Sequence, residues 1–182
     1  DSGGNVFLCT DNGIVLAETF SDRSFVSVDS VCGSNEGQDV STMEMDSRGN
    51  LWLGGMDGLV KVPSGGGRGV WYRSDSGALD KRLSHNKVRD LYDDGKGLWI
   101  VSDGGLDRLD GKTGRIRHFT IMEQKGKYSS NWMYALGEDS SGSMWIGTYG
   151  GLLKIAEKNA LLSSSEPYLA DAVFNAVSSC PL

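Results

Sequence analysis

An aromatic anchor recurs along this chain at a nearly fixed interval. Trp52, Trp99 and Trp145 stand 47 and 46 residues apart, and Phe7 fills the same slot 45 residues before Trp52. Each anchor sits in the same local phrase. An Asp turn precedes it, and a short glycine turn and a second apolar segment follow. The copies run Asp46–Leu59, Asp93–Leu106 and Asp139–Leu152, with a worn copy over residues 1–14. Self-similarity at a period of about 20–50 residues marks a solenoid, a propeller or an array. That constraint comes before any residue-level reading.

Within one period the chain reads as up to four strands. The Asp side chain accepts hydrogen bonds from backbone N–H groups two residues on, and Gly supplies a left-handed backbone at no steric cost. The anchor strand follows, as Leu51-Trp52-Leu53 or Met144-Trp145-Ile146. It is apolar on both faces, as a strand sandwiched between two sheets should be. Tight turns closed by Gly58, Gly105 and Gly151 lead into segments that alternate apolar and polar, such as Leu152-Leu153-Lys154-Ile155. More polar outer strands come next at Val70–Arg73, Gly114–Phe119 and Phe25–Val28. A last strand enters the next Asp turn. These patterns predict an all-β chain of β-propeller blades, each of four antiparallel strands. About four blades are present, as a partial propeller or a fragment of a larger ring. The blades fall near residues 1–30, 38–75, 84–120 and 129–156, and each buries its anchor against a neighbour.

Residues 157–182 leave the pattern. One reading gives a short outer strand near Ala160–Leu162, then one more inner strand over Asp171–Val177 that begins a fifth blade or closes the ring by completing the first. The other makes Pro167–Val177 a short helix, since Ala and Leu favour helices.

Composition agrees with many short strands, with 26 Gly against 3 Pro. A net charge of −6 with no basic cluster argues against nucleic acid as a partner. No apolar run approaches the roughly 18 residues that span a bilayer, so direct membrane insertion is not expected. Cys9, Cys32 and Cys180 form no CxxC pair and are expected as buried or free thiols. Three scattered Cys and two His do not make a zinc site. Asp46, Asp93 and Asp139 fall one per blade, too far apart to share an ion. Neither a metal nor a cofactor is expected.

Two stretches resemble a known repeat closely. They are Ser84–Asp93 continuing to Trp99-Ile100, and Ser129–Asn131 through Asp139–Leu152. The unit is similar to the two-component regulator propeller repeat. Against that pattern Lys96 replaces the turn Gly, and Val101-Ser102 replaces Gly-Thr. The resemblance implies the periplasmic sensor of a hybrid two-component system, in which propellers precede a β-sandwich, a membrane span and a histidine kinase. It also implies a response to oligosaccharides released from glycans. On that view the chain is a fragment of a sensor or a truncated relative, and its partners are the remaining blades and the kinase of a parent chain. A homodimer is a further expected association.

Propeller geometry gathers two loop classes on one face. The turns after the anchor strand offer Met56, Asp57, Asp103 and Tyr149, and the loops into the inner strand offer His85, Asn86, Lys87, Asn131 and Trp132. These positions differ between copies while the framework repeats, which leaves them free to carry function. Trp132 and Tyr149 suit stacking on a sugar ring, and Asp and Asn suit its hydroxyls. The expected role is therefore a non-catalytic ligand-binding face for a small molecule, with no catalytic residue assigned. The alternatives are a general protein-interaction propeller, or a propeller lyase or glycan-active enzyme. A lyase needs a His and a carboxylate converging on this face, and His85 is placed to supply the first.

Overall fold

The computed structural model describes residues 6–10, 13–19, 22–26, 40–64, 68–124, 127–128, 132–165 and 167–175. The chain builds a series of antiparallel sheets. The first holds β1 (Val6–Thr10), β2 (Gly13–Thr19) and β3 (Asp22–Val26) in that order. The second holds β4 (Val40–Met45), β5 (Leu51–Gly55), β6 (Gly58–Val62) and β7 (Val70–Tyr72). The third holds β8 (Val88–Asp93), β9 (Gly97–Ser102), β10 (Gly105–Asp110) and β11 (Ile116–Phe119). The inner strands β4 and β8 lie against each other, so successive sheets fan out from a common side. This is the blade arrangement of a partial propeller.

After the third blade the chain departs from plain repetition. β12 (Ile121–Gln124) and β13 (Lys127–Tyr128) form a small hairpin outside the blades. β14 (Met133–Glu138), β15 (Met144–Thr148) and β16 (Gly151–Ile155) then make the first three strands of the fourth blade, with β14 against β8. A short helix α1 (Lys158–Ser163) and β17 (Tyr168–Leu169) follow, and β17 pairs parallel with β12. β18 (Ala172–Asn175) returns to pair antiparallel with β16.

This path corrects the sequence reading of the tail. Residues 160–162 lie in α1 rather than in an outer strand, because Leu161 buries its side chain in the core between the third and fourth blades. Residues 172–175 are the outer strand of the fourth blade, not an inner strand or a helix. The outer strand is present but displaced in sequence by an excursion through α1 and β17. Cys9, Cys32 and Cys180 fall where no side chain is described.

Each described Asp turn is locked by its anchor. The Trp52 indole N–H donates to Asp46 Oδ2 at 2.8 Å, and the Trp145 indole donates to Asp139 Oδ2 at 2.8 Å. Backbone N–H groups of Arg48 and Asn50, and of Ser141 and Ser143, fill the other carboxylate oxygen. In the third blade Asp94, not Asp93, takes this role, with Trp99 donating at 2.8 Å. The turn there is one residue shorter, and Gly95, at φ 77°, supplies the left-handed residue. Lys96 is therefore not a substitute for the turn glycine. Asp93 instead accepts from the Ser47 N–H of the second blade at 2.8 Å, tying neighbouring blades together.

A cation lies over each of the three Trp anchors. Lys61, Arg108 and Lys154 stand opposite Trp52, Trp99 and Trp145 in the strand register. Their charged ends sit 5.4, 5.2 and 5.1 Å from the ring centroids. Such contacts are worth about 0.5–2 kcal/mol each, more as water is excluded. An outer-strand aromatic completes each set: Tyr72 with Trp52, Phe119 with Trp99 and Phe174 with Trp145.

Candidate functional site

The candidate face lies at the end of the blades opposite the Asp turns. Two-residue turns close it, since Gly55 pairs Gly58, Ser102 pairs Gly105 and Thr148 pairs Gly151. In two blades the turn is bonded to the residue just before the inner strand. The Asp103 N–H donates to the Lys87 carbonyl at 3.2 Å, and the Tyr149 N–H donates to the Trp132 carbonyl at 3.0 Å. Lys87 with Asp103, and Trp132 with Tyr149, are thus the same structural pair in successive blades.

Next to these pairs every described inner strand from the second blade onward carries a bulge. The pairing skips Ser41 between Val40 and Thr42, Arg89 between Val88 and Asp90, and Tyr134 between Met133 and Ala135. A bulge inserts one residue into a ladder and re-aims its side chain. Ser41 Oγ reaches the next blade and donates to the Val88 carbonyl at 2.9 Å. Arg89 does the same one blade on, with its guanidinium 5.2 Å from the centroid of Tyr134. Ser41 and Arg89 each lean on the following blade, and with Tyr134 they make a strip across the face.

Arg89 also donates to Asp103 at 2.8 and 3.4 Å, and Lys87 stands 3.7 Å from the same carboxylate. The Arg89 hydrogen bond is the main reason the Asp103 carboxyl is held below its ordinary range; partial burial opposes it, and the positive charges of Arg89 and Lys87 add to it. Asp103 stays ionised at neutral pH and fixes the guanidinium over the Tyr134 ring. A stacked, paired guanidinium of this kind presents its remaining N–H groups in a fixed plane.

The aromatic half of the face is exposed. Trp132 and Tyr149 meet edge to face, with centroids 5.8 Å apart and planes at 84°. They are nevertheless 54 % and 73 % exposed. The pair is held by the backbone bond between the same two residues, so the rings are positioned without being covered.

The other expected residues divide. His85 is exposed, and its Nδ1 accepts from the Lys87 N–H at 3.0 Å. Asn86 uses its side-chain carbonyl on the N–H and hydroxyl of Ser74, which pins the loop entering the third blade. Met56 and Asp57 occupy the exposed turn of the second blade. Asn131 lies outside the described residues. Arg89 and Tyr134 are additions that the sequence reading missed. Both follow an apolar residue at the start of an inner strand, where the copies differ as Ser41, Arg89 and Tyr134. That variation was a usable signal, but the bulge that exposes it was not.

A second ionisable group lies between the second and third blades. Asp107 is fully buried and accepts from the N–H and hydroxyl of Ser84. Its other oxygen meets His118 Nδ1 at 2.6 Å. This hydrogen bond raises the His118 pKa above its ordinary value, against the opposing pull of partial burial. At the Asp-turn end, a cleft of about 270 Å³ runs between the third and fourth blades, lined by Asp94, Arg108, Glu157 and Lys158. Its charges are largely satisfied, since Arg108 bonds Asp94 at 3.0 Å and Lys158 bonds Glu138. Among the described residues no group of three or more His, Cys, Asp or Glu is placed to hold a metal ion. No helix among them is long and apolar enough to cross a membrane.

The fanned sheets, the locked Asp turns and the covered anchors define a β-propeller built of repeats. Residues 127–150 match the family model described as two component regulator propeller, so the chain carries a repeat of that kind. The extracellular domain of BT4673 from B. thetaiotaomicron, assigned to a one- or two-component system in its two structures, is similar at 33 % identity with a TM-score of 0.72. The match covers 96 % of this chain and 24 % of that one. The extracellular domain of BT3049 from the same organism, assigned to a hybrid two-component system, shares the fold at 22 % identity and a TM-score of 0.68, over 96 % of this chain and 21 % of that one. Virginiamycin B lyase from Staphylococcus aureus shares the fold alone, at 15 % identity and a TM-score of 0.61, over 87 % of this chain and 50 % of the lyase. This chain therefore spans about a quarter of the length of the two extracellular domains. No curated protein matches it.

Proposed function

We propose that this chain is a ligand-binding part of the periplasmic input region of a hybrid two-component signalling protein. Its ligand is an oligosaccharide released from a glycan, and the chain performs no chemistry on it. The observation that carries this reading is the exposed, edge-to-face pair Trp132 and Tyr149. Sugar rings present apolar C–H faces, and an aromatic ring held in place collects them at little entropic cost. Arg89, Lys87 and Asp103 supply donors and an acceptor for the hydroxyls on the adjoining blade. The extracellular context of the BT4673 and BT3049 domains supports an extracytoplasmic setting. Signal output falls to other segments of a parent chain, a histidine kinase among them.

Calorimetry against a panel of glycan oligosaccharides tests the reading. One class of oligosaccharide should bind, and Trp132→Ala and Tyr149→Ala should each weaken it by about tenfold or more, equivalent to roughly 1.4 kcal/mol. Full affinity in the double variant would move the site elsewhere. Turnover of the oligosaccharide, seen by mass spectrometry and lost in His85→Ala, would overturn the non-catalytic reading.

A further inference from the structure

The third blade sets two cations against a single carboxylate. Lys87, just before β8, and Arg89, at its bulge, both converge on Asp103 in the turn between β9 and β10. Arg89 donates to that carboxylate twice, from Nε at 2.8 Å and from Nη2 at 3.4 Å, and the Lys87 ammonium stands 3.7 Å away. This local excess of positive charge occurs in a chain whose net charge is −6. Each of the two cationic side chains is 29 % exposed, so neither is shut away from a ligand. Both neighbours of the blade are present, since β4 and β14 each lie against β8. The surroundings of this group are therefore built entirely within the described residues.

Holding the blades together does not require this arrangement. At the equivalent bulge Ser41 joins the second blade to the third with one hydroxyl. Asp90 already joins the third blade to the fourth by accepting from the Leu136 N–H at 2.9 Å. A guanidinium carries five N–H donors. Asp103 engages Nε and Nη2, and the Tyr134 ring, 5.2 Å away, fixes the guanidinium plane. The remaining edge, Nη1 with the second N–H of Nη2, is a fork of the kind that grips an oxyanion through two parallel hydrogen bonds. The fourth blade carries Trp132 and Tyr134 at the positions of Lys87 and Arg89, so these charges belong to the third blade and not to the repeat. The carboxylate of Asp57 lies in the turn of the second blade, on the opposite flank from the Tyr134 ring toward which Arg89 leans.

We propose that the oligosaccharide bound at this face is acidic and sets its anionic group on Arg89 and Lys87, at the seam between the third and fourth blades. The inference rests on the oligosaccharide reading above and names the chemistry of its ligand. The anionic group is an oxyanion, either a uronate carboxylate or a sulfate ester. A neutral sugar leaves the second positive charge unmatched, whereas an acidic one supplies its partner.

Titration of the unmodified chain with glucose, glucuronate and glucose 6-sulfate, followed by NMR at the Arg89 Nε–H, tests it without any variant. The three sugars differ only at C6. The signal should move with glucuronate, with glucose 6-sulfate or with both, and stay still with glucose. The tighter of the two anions tells a carboxylate from a sulfate as the natural group. A signal that ignores both anions at tens of millimolar overturns the proposal. Calorimetry on the oligosaccharide panel gives the second arm. The oligosaccharide that binds should be anionic, and its neutral form, with carboxylates reduced to alcohols or sulfates removed, should bind the wild type about tenfold or more weakly. Arg89→Gln should cost the anionic form about tenfold and Lys87→Gln roughly threefold, and rising salt should weaken binding. A neutral form that binds equally well, and still loses affinity in Trp132→Ala, overturns the acidic assignment and leaves the oligosaccharide reading standing. Binding of no oligosaccharide at all overturns that reading and the acidic assignment with it.

Discussion

The third and fourth blades carry the same anchor in two different surroundings. Trp99 and Trp145 both donate to a turn carboxylate, both lie under a cation and both touch an outer-strand aromatic. Yet Trp99 is fully buried, and Trp145 is only partly buried, with no sheet on its far side among the described residues. The local motif therefore forms without a neighbour, through strand pairing and the Asp turn. What the neighbour adds is the removal of apolar surface from water, which is the larger energy. Each blade is complete as a sheet and incomplete as a core.

The sharpest way to break this comparison is to truncate both anchors. Trp99→Ala should cost about 3–5 kcal/mol, the range for a large buried aromatic that leaves a cavity. Trp145→Ala should cost less, roughly 1–2 kcal/mol, because part of its surface stays in water. Chemical denaturation at low protein concentration reads both. Equal losses would mean that the fourth blade is covered in solution, or that local contacts outweigh burial in holding the anchors.

A smaller contrast lies in two glycines, Gly54 two residues after Trp52 in the second blade and Gly147 two residues after Trp145 in the fourth. A Cβ on Gly54 would come within 2.5 Å of Val88 Cγ1 on the following blade, whereas on Gly147 it would meet only Ala135 of its own sheet at 3.7 Å. Gly54→Ala should cost about 1–3 kcal/mol through overpacking. Gly147→Ala should stay within roughly 0.5 kcal/mol, as an ordinary surface change does. Paired thermal melts would show it, and a large penalty at Gly147 would again point to a cover on that side.

The smallest expected effect separates the other sides of the third and fourth blades. Asp107 stands opposite His118 in the third blade, where the fourth has Leu153 opposite Val173. Folding raises the His118 pKa above 6.5. Protonated His118 is thus favoured in the folded chain, and its contribution is fully present below about pH 6.5 and lost as pH rises through the folded value. The side chain is 49 % exposed, so the contribution should not exceed roughly 1 kcal/mol. Denaturation midpoints should fall across this pH window in the wild type, and His118→Gln should flatten that fall. An unchanged slope would assign the pH dependence to other groups.

Much of the architecture was legible because its causes are local. A period near 46 residues, an Asp turn and a Trp strand are short-range signals that reappear in each copy. The proposed ligand face was legible in part. The disagreement between copies singles out Trp132 and Tyr149, and the structure brings those two rings into contact. Arg89 and Tyr134 were missed because a bulge depends on how two strands pair, and strict alternation assigns them to the wrong side. Asp94 was passed over for Asp93 because the family pattern hides a turn one residue shorter.

The repeating unit, its four-strand order and the positions of its anchors are set locally along the chain. All of these follow from turn chemistry and strand periodicity within about 46 residues. Tertiary structure decided which anchors are buried, which bulge residues cross to the next blade, and where the tail returns as the outer strand of the fourth blade. Those depend on contacts between residues far apart in sequence. The Trp145 face makes the reason plain: its sequence matches its neighbours, and only the presence or absence of another sheet sets its burial.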